Sequence, residues 1–159
     1  MRRSTPATRY LDTAGIAYGL HAYAYDPAAH NIGLHAAAAL GIEPARLLKT
    51  LMVELDGKPA CAVLPVDREL SLKKLAAALG GKHAAMMPVA SAERITGYHV
   101  GGISPFGQKK RLPLVLDRHA LEHDCVYCNA GQRGLQLELS PQAIANLPGA
   151  LCADIAAGE

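Results

Sequence analysis

The sequence predicts a single-domain α+β fold, and three observations lead to this class. The chain has 159 residues, a length that suits one domain. Half of the residues are hydrophobic and 19% are charged, which is enough apolar content to form a folded core. Short strand and helix patterns mix without the regular alternation of a doubly wound sheet, and an Asp56-Gly57 turn between two apolar runs requires antiparallel pairing. We therefore expect residues 1–159 to form one domain, with a mixed, largely antiparallel curved sheet flanked by short helices.

Two helices and a strand are predicted before residue 42. Thr5-Pro6 places a capping hydroxyl before a proline suited to the first helical turn, so Ala7–Ala14 is predicted to be helical. Residues Ile16–Tyr23 can alternate between two faces and are predicted to form a strand. The alanine-rich stretch Leu34–Leu40 is followed by glycine and is predicted to be a second helix.

The clearest local signal is a hairpin in the middle of the chain. Leu47–Leu55 and Ala60–Val66 are apolar runs, and the Asp-Gly dipeptide between them tolerates the positive φ angles of a tight turn. Ser71 then caps a helix predicted over Leu72–Leu79.

A loop and several strands are predicted in the remainder. Tyr98–Val100 is predicted to be a short strand that leads into Gly101–Gly107, a segment too rich in glycine and proline to be helical. Ser140-Pro141 opens a final helix. The predicted strands of the last third are Leu114–Leu116, Cys125–Cys128 and Leu135–Leu139.

Charge and composition exclude several classes of protein. The formal net charge is +2, far below that of a polybasic protein, so any nucleic acid must contact a local patch. Tryptophan is absent and there is one phenylalanine, which disfavours a general single-strand binder. No apolar run is long enough for a membrane span or a signal core, so we expect a cytoplasmic protein with no membrane partner. We expect four reduced thiols, at Cys61, Cys125, Cys128 and Cys152.

Lys49 interrupts an apolar strand, which leaves two interpretations. The lysine either points to solvent from a half-buried strand or lies in a cleft. In a cleft its ammonium group would need an anionic partner, such as a phosphate or a developing oxyanion.

The loop Gly101–Arg111 resembles a phosphate-binding loop only in part. Gly102 and Gly107 have the Walker spacing, but Gln108 occupies the position of the essential lysine, so that interpretation fails. The loop is either a solvated turn or a segment whose uncovered N–H groups donate to a carbonyl or phosphate oxygen. Three consecutive cations at the end of the loop are candidate contacts for a polyanion: Lys109, Lys110 and Arg111.

No metal site or catalytic triad is predicted. His119, His123, Cys125 and Cys128 lie close together in sequence, but a lone C-x-x-C is a weak signal and the two cysteines would face opposite sides of a strand. The serines lie in no G-x-S-x-G motif, and the histidines form no H-E-x-x-H pattern.

Several motifs follow one another in a fixed order along the chain. They are Thr5-Pro6-Ala7, His21-Ala22-Tyr23, Asp26-Pro27-Ala28, Leu48-Lys49-Thr50-Leu51, Leu70-Ser71-Leu72-Lys73-Lys74, the string YHVGGISPFGQKKRLP from Tyr98 to Pro113, and Gly131-Gln132-Arg133-Gly134-Leu135. With these motifs the chain resembles the YbaK/EbsC family, the Cys-tRNA(Pro) deacylases related to the editing domain of bacterial prolyl-tRNA synthetases. The resemblance covers essentially the whole chain, and the long string is its most specific part.

The resemblance implies an enzyme that acts in trans on mischarged tRNA(Pro). It would hydrolyse the ester between a wrongly attached amino acid, chiefly cysteine, and the terminal adenosine. The attached cysteine thiol would attack its own ester carbonyl, so the protein would supply orientation and oxyanion stabilisation without a metal or cofactor. With a tRNA substrate, the basic segment Lys109–Arg111 becomes a candidate tRNA contact. Recruitment by prolyl-tRNA synthetase is also implied.

The resemblance further implies a set of site residues. Lys49, Gly101 and Gly102 correspond to the reaction centre. Three positions differ from the cysteine-specific pattern, because Ile32 stands in place of an aromatic residue, Asn129 in place of serine and Gln136 in place of aspartate. With these three, the substrate-binding positions are Tyr23, Ile32, Thr50, Ile103, Ser104, Asn129 and Gln136.

Two alternatives to a cysteine-specific deacylase remain open at this stage. The three departures leave room for a related deacylase that clears another mischarged residue, such as Ala-tRNA(Pro). The chain could also be a non-catalytic module that keeps the pocket to sense an aminoacyl or nucleotide ligand.

Overall fold

The computed structural model describes residues 4–158 and contains two β-sheets. Its strands are β1 (Gly19–Ala22), β2 (Leu48–Leu55), β3 (Lys58–Pro65), β4 (Ala84–Met86), β5 (Leu114–Asp117), β6 (Val126–Gln132), β7 (Leu135–Leu139) and β8 (Ala150–Ala153). Its α-helices are α1 (Pro6–Ala14), α2 (Ile32–Leu40), α3 (Leu72–Ala78), α4 (Val89–Thr96) and α5 (Gln142–Ala145). Short 3-10 turns occupy Pro44–Arg46 and Arg118–Glu122.

The two sheets differ in strand direction. The smaller sheet has the order β1-β7-β6 and is antiparallel throughout. The larger has the order β4-β2-β3-β5-β8, with antiparallel pairing from β4 to β3 and parallel pairing from β3 to β8. The predicted α+β class with mixed, largely antiparallel strands is confirmed, but the strands form two sheets instead of one.

The apolar faces of both sheets and α1 share the largest core cluster, which includes Leu11, Met52, Val63, Phe106 and Leu137. The opposite face of the larger sheet packs against α3 through Leu75 and Ala76. A third, smaller cluster lies between α2 and the start of β2.

Local signals explain why several elements agree with the sequence prediction. The hairpin of β2 and β3 turns at Asp56 and Gly57, which both have positive φ angles. The Thr5 hydroxyl accepts a hydrogen bond from Thr8 N and so caps α1. Asn31 caps α2 through Leu34 N, which is why this helix begins at Ile32, before the predicted start.

The prediction of a strand at Tyr98–Val100 is wrong. The Tyr98 side chain is buried, and its hydroxyl donates to Phe106 O at 2.6 Å. The Tyr98 N–H donates to Thr96 Oγ1 at 3.1 Å, and Val100 N donates to Glu93 Oε2 at 2.9 Å. Because side chains satisfy this backbone, the segment forms a fixed turn and pairs with no strand.

The sequence also fails to predict β8. Leu151 and Cys152 are exposed, so this strand has no apolar alternation to mark it. It forms because its backbone pairs in parallel with β5, from Leu114 opposite Ala150 to Asp117 opposite Ala153.

Candidate functional site

A cleft opens where the two sheets separate. Leu47 and Tyr127 form an isolated parallel bridge, after which β2 pairs with β3 while β6 pairs with β7. The cleft between the diverging strands has a volume of about 260 Å³. Eight residues proposed from the sequence line it: Tyr23, Ile32, Lys49, Thr50, Gly101, Ile103, Asn129 and Gln136.

One wall of the cleft is the first turn of α2. This wall consists of Asn31, Ile32, Gly33 and Ala36. Ile32 is partly exposed at the start of the helix. A Cβ atom on Gly33 would lie 2.7 Å from Val66 Cγ1, so glycine allows the helix to pack closely against this residue. The wall is therefore largely apolar, as in most small-molecule sites.

Lys49 lies in the wall formed by β2, and the cleft interpretation of this residue is the one the geometry supports. Burial lowers the pKa of its ammonium group, and the negative charges of Glu69 and Asp67 partly oppose this shift. Lys49 forms no ion pair with a carboxylate within residues 4–158. A partly desolvated, unpaired cation in a cleft is suited to bind an anionic group.

Two buried polar atoms of the cleft residues lack a hydrogen-bond partner. They are Thr50 Oγ1 and Gln136 Oε1, and Gln136 is only 5% exposed. An unsatisfied buried polar atom costs about 1–3 kcal/mol, so such atoms are rare in native proteins and call for an explanation. Both residues line the cleft, and a side-chain rotation would be needed to bring either enclosed oxygen into contact with a ligand donor.

Asn129 connects the cleft wall to the glycine loop. Its Nδ2 donates to Gly101 O at 3.2 Å. Its Oδ1 accepts from Gly131 N at 2.6 Å and from Gln132 N at 3.0 Å, where β6 has an irregular register. The side chain therefore stabilises both the bulge and the position of the loop.

The loop that follows Val100 is fixed from several sides. Arg133 Nε donates to Val100 O at 2.9 Å, and its guanidinium carbon lies 5.4 Å from the centre of the Tyr25 ring. Gly101 has a φ of +92°, and a Cβ atom there would lie 2.6 Å from Tyr25 Oη. The motif around Arg133 was visible in the sequence, but no role for this arginine or for Tyr25 could be inferred from it.

The backbone amides of the loop are not equally available. Gly102 N donates to His99 O at 2.8 Å, so this amide already has an acceptor. The amides of Gly101 and Ile103 have no acceptor among the residues that the structure describes. Gly102 and Ser104 do not line the cleft, and Ser104 Oγ instead accepts from Phe106 N at 3.2 Å.

The basic segment Lys109–Arg111 lies away from the cleft. All three side chains are exposed, and Lys110 and Arg111 line a second cavity that shares no lining residue with the cleft. The structure therefore separates the proposed tRNA contacts from the proposed reaction centre.

The histidines and cysteines considered for zinc are not brought together. Cys128 is buried in the core, Cys125 Sγ lies 3.4 Å from Glu138 Oε2, and His119 Nδ1 lies 2.7 Å from Asp117 Oδ2. Burial raises the pKa of the Cys61 thiol to about 12. Within residues 4–158, the group close enough to share a metal ion contains no cysteine; it consists of Asp117, His119 and Asp154.

Membrane insertion through a helix is not supported by the described part of the chain. None of the helices within residues 4–158 combines the length and the apolar character that a membrane span requires.

Comparison with known proteins places these features in a family. Residues 26–147 match the family described as "Aminoacyl-tRNA editing domain". A protein of Enterococcus faecalis named "Putative Cys-tRNA(Pro)/Cys-tRNA(Cys) deacylase EbsC" is 38% identical over 160 residues, covering 99% of this chain and 96% of the relative. The proline–tRNA ligase of Maridesulfovibrio salexigens is 39% identical over 70 residues, which is 44% of this chain but 12% of the ligase.

A solved structure supports the same fold. The crystal structure described as "a putative trans-editing enzyme for prolyl tRNA synthetase" superposes with a TM-score of 0.81 at 24% identity, and covers 99% of this chain and 100% of that chain. The match extends over the full length of both chains, as does the sequence match to the Enterococcus protein. The resemblance seen in the motifs is confirmed, and the chain belongs to the aminoacyl-tRNA editing domain family.

Proposed function

We propose that this chain is an aminoacyl-tRNA deacylase that removes cysteine wrongly attached to proline tRNA. The observation that carries the proposal is the composition of the cleft. Its lining offers a cation, two unpaired polar side chains and fixed backbone amides, but no serine, cysteine, histidine, aspartate or glutamate. A site whose described lining has no serine, cysteine or histidine nucleophile suits a substrate that brings its own nucleophile.

Different cleft residues recognise different parts of the aminoacyl end of the tRNA. Lys49 contacts the anionic part of the substrate, either the terminal phosphate or the oxyanion that develops on the ester. Thr50 Oγ1 and Gln136 Oε1 accept hydrogen bonds from donors of the aminoacyl adenosine, such as the α-ammonium group or a ribose hydroxyl. Tyr23, Ile32 and Ile103 surround the amino-acid side chain with apolar surface.

The chemical step follows from this placement. The thiol of the attached cysteine loses its proton and its sulfur attacks the ester carbonyl carbon. The bond from that carbon to the ribose oxygen breaks, and the ribose oxygen takes up the proton that the thiol lost. The cysteine leaves as a cyclic thioester, which water then opens to free cysteine. The amides of Gly101 and Ile103 stabilise the oxyanion formed between these events, whereas Gly102 maintains the turn. The reaction needs no metal or cofactor.

A partner protein and a cellular compartment follow from this function. The modest net charge predicts weak, salt-sensitive affinity for tRNA. Recruitment by prolyl-tRNA synthetase would compensate for this weak affinity. The protein then works in the cytoplasm, where mischarged tRNA(Pro) arises.

The test is the rate of ester loss from Cys-tRNA(Pro) and Ala-tRNA(Pro), each with and without the purified protein. We expect rapid loss of cysteine and little loss of alanine, because alanine has no side-chain nucleophile. Rapid loss of alanine would contradict the thiol-assisted step and indicate water attack. Loss of neither amino acid would contradict the deacylase itself and favour a ligand-sensing module.

A further inference from the structure

The second cavity lies beside the basic segment Lys109–Arg111 and has a volume of about 220 Å³. Its walls come from α1, from the end of the glycine-rich loop, from the start of β5 and from the segment after α5. The cavity is thus formed by elements distant in sequence that the fold brings together.

An aromatic pair and several aliphatic side chains form the inner wall. The Tyr10 ring stacks on Phe106, with centroids 6.1 Å apart and planes inclined by 26°. Tyr10 is partly buried and also lines the cavity, together with Leu112, Leu114 and Leu147. A tyrosine held in place by a second ring offers a platform for a planar group.

The rim of the cavity is positively charged. Lys110 and Arg111 line it and are exposed, and neither they nor Lys109 pair with a carboxylate in the part of the chain that the structure describes. An aromatic and aliphatic slot bordered by unpaired cations matches a ligand with a planar body and an anionic group. A nucleotide has both.

One loop connects the cavity to the cleft. Ile103 lines the cleft, and Gln108 lines the cavity. The five Cα–Cα steps from Ile103 to Gln108 span at most about 17 Å even when the chain is fully extended. An RNA strand advances about 3.4 Å per stacked nucleotide and further when extended, so a few nucleotides cover this distance.

We infer that the second cavity binds a nucleotide that precedes the terminal adenosine of the tRNA, with its base on Tyr10 and its phosphate against Lys110 and Arg111. The inference rests on the proposed function, which puts the terminal adenosine ester in the cleft. The basic segment would then bind the single-stranded end of the tRNA at a defined site. It would do more than attract the tRNA through its overall charge.

The experiment measures how much the affinity rises when the RNA is lengthened from AMP to the tetranucleotide ACCA. Dissociation constants are determined for both probes with the unmodified protein, the double variant Lys110→Ala/Arg111→Ala, and Tyr10→Leu. Tyr10→Phe keeps the ring, and Lys58→Ala/Lys73→Ala removes two exposed cations elsewhere. We expect this rise in affinity to become about tenfold smaller in the Lys110/Arg111 variant and in Tyr10→Leu, and to persist in both controls.

Salt dependence gives a second readout. The slope of log affinity for ACCA against log salt concentration should decrease by about 0.7 in the Lys110/Arg111 variant, because one single-strand phosphate that loses its neutralising cations contributes about 0.7 to this slope. The melting temperature of each variant shows whether Tyr10→Leu remains folded, and the charge variant tests the site without disturbing the aromatic pair.

Three results would overturn the inference. The first is an equal rise in affinity from AMP to ACCA in all variants, and the second is an equal decrease of that rise in the Lys58/Lys73 control. The third is unchanged RNA binding combined with abolished binding to purified prolyl-tRNA synthetase, which would assign the cavity to a protein partner. A protein that hydrolyses no ester but retains the length-dependent, Tyr10-dependent rise in affinity would refute the proposed function and leave the nucleotide site standing.

Discussion

Two of the regions that contain buried polar groups, the cleft and the surroundings of Asp117, differ in how those groups are satisfied. In the cleft, Thr50 Oγ1 and Gln136 Oε1 have no hydrogen-bond partner within residues 4–158. Around Asp117, the carboxylate accepts from Ile155 N at 3.0 Å and lies 2.7 Å from His119 Nδ1, although its side chain is completely buried.

The difference shows how a ligand site can be told from a structural network. The Asp117 carboxylate links the end of β5 to the residue that follows Asp154, and Asp154 in turn contacts Lys74 at 3.0 Å. Each of these contacts joins two groups of the protein itself, which fits a role in stability. In the cleft, the residues that carry unpaired polar atoms line the same cavity as a cation without an ion-pair partner in the described chain, which fits a ligand site.

The strongest test of this contrast is Asp117→Ala. It leaves the donors of His119 and Ile155 without their buried acceptor, and we expect the free energy of unfolding to fall by about 3–5 kcal/mol. Urea denaturation followed by circular dichroism measures the change. Asp124→Ala, at an exposed position before β6, is the matched control and should change stability by about 0.5 kcal/mol or less. A comparable loss of stability in both variants would show that the Asp117 network contributes no more to stability than an exposed carboxylate does.

Lys49→Met probes the other region through activity. We expect the deacylation rate of Cys-tRNA(Pro) to fall about 100-fold, the usual effect of removing a group that stabilises transition-state charge. The fold should be retained, because methionine replaces the buried part of the side chain with apolar surface. An undiminished rate would remove Lys49 from the reaction centre.

The pH dependence of stability provides a control for the same variant. Burial lowers the pKa of Lys49 in the folded state, so between that value and the ordinary 10.5 the unfolded chain binds more protons. The free energy of unfolding should therefore gain a positive contribution as pH rises through this interval. Lys49→Met should lack that contribution in urea titrations at successive pH values, whereas an identical pH profile in both proteins would argue against a desolvated ammonium group.

The smallest expected effect comes from a direct comparison of two threonines. Thr96 Oγ1 donates to Ala92 O at 2.8 Å, whereas Thr50 Oγ1 has no partner. Thr96→Val should destabilise the protein by about 1 kcal/mol, and Thr50→Val should leave stability unchanged or raise it by up to about 1 kcal/mol while weakening substrate binding. Urea denaturation and KM measurements separate the outcomes. Equal destabilisation by both variants would mean that Thr50 already has a structural partner.

The sequence predicts those elements whose signals are local. The β2–β3 hairpin is determined by Asp56-Gly57, and α1 and α2 by capping side chains. It does not predict β8, because that strand depends on a parallel neighbour far away in the chain, nor the turn at Tyr98, which depends on a buried hydroxyl contact.

The candidate site is predictable to a similar degree. The family resemblance points to Lys49, Gly101 and Asn129, the last as a departure from the usual serine, and all three line the cleft. The motifs cannot show that Gly102 uses its amide within the turn, because the neighbouring carbonyl of His99 is positioned by the folded loop. They also cannot show that Lys110 faces a separate cavity, since that depends on how α1 and α5 pack around it.

The contact between the first helix and β6 has a consequence for synthesis on the ribosome. The Thr5 hydroxyl donates to Ala130 O at 2.6 Å, a pair separated by 125 residues. At about 5–20 residues per second, the ribosome needs about 6–25 s to make the partner of this residue. During that interval the apolar side of α1, with Ala7 and Leu11, has no β6 to cover it. The nascent chain should therefore depend on chaperones during its elongation. The contacts between α1 and β6 should be among the last tertiary contacts to form.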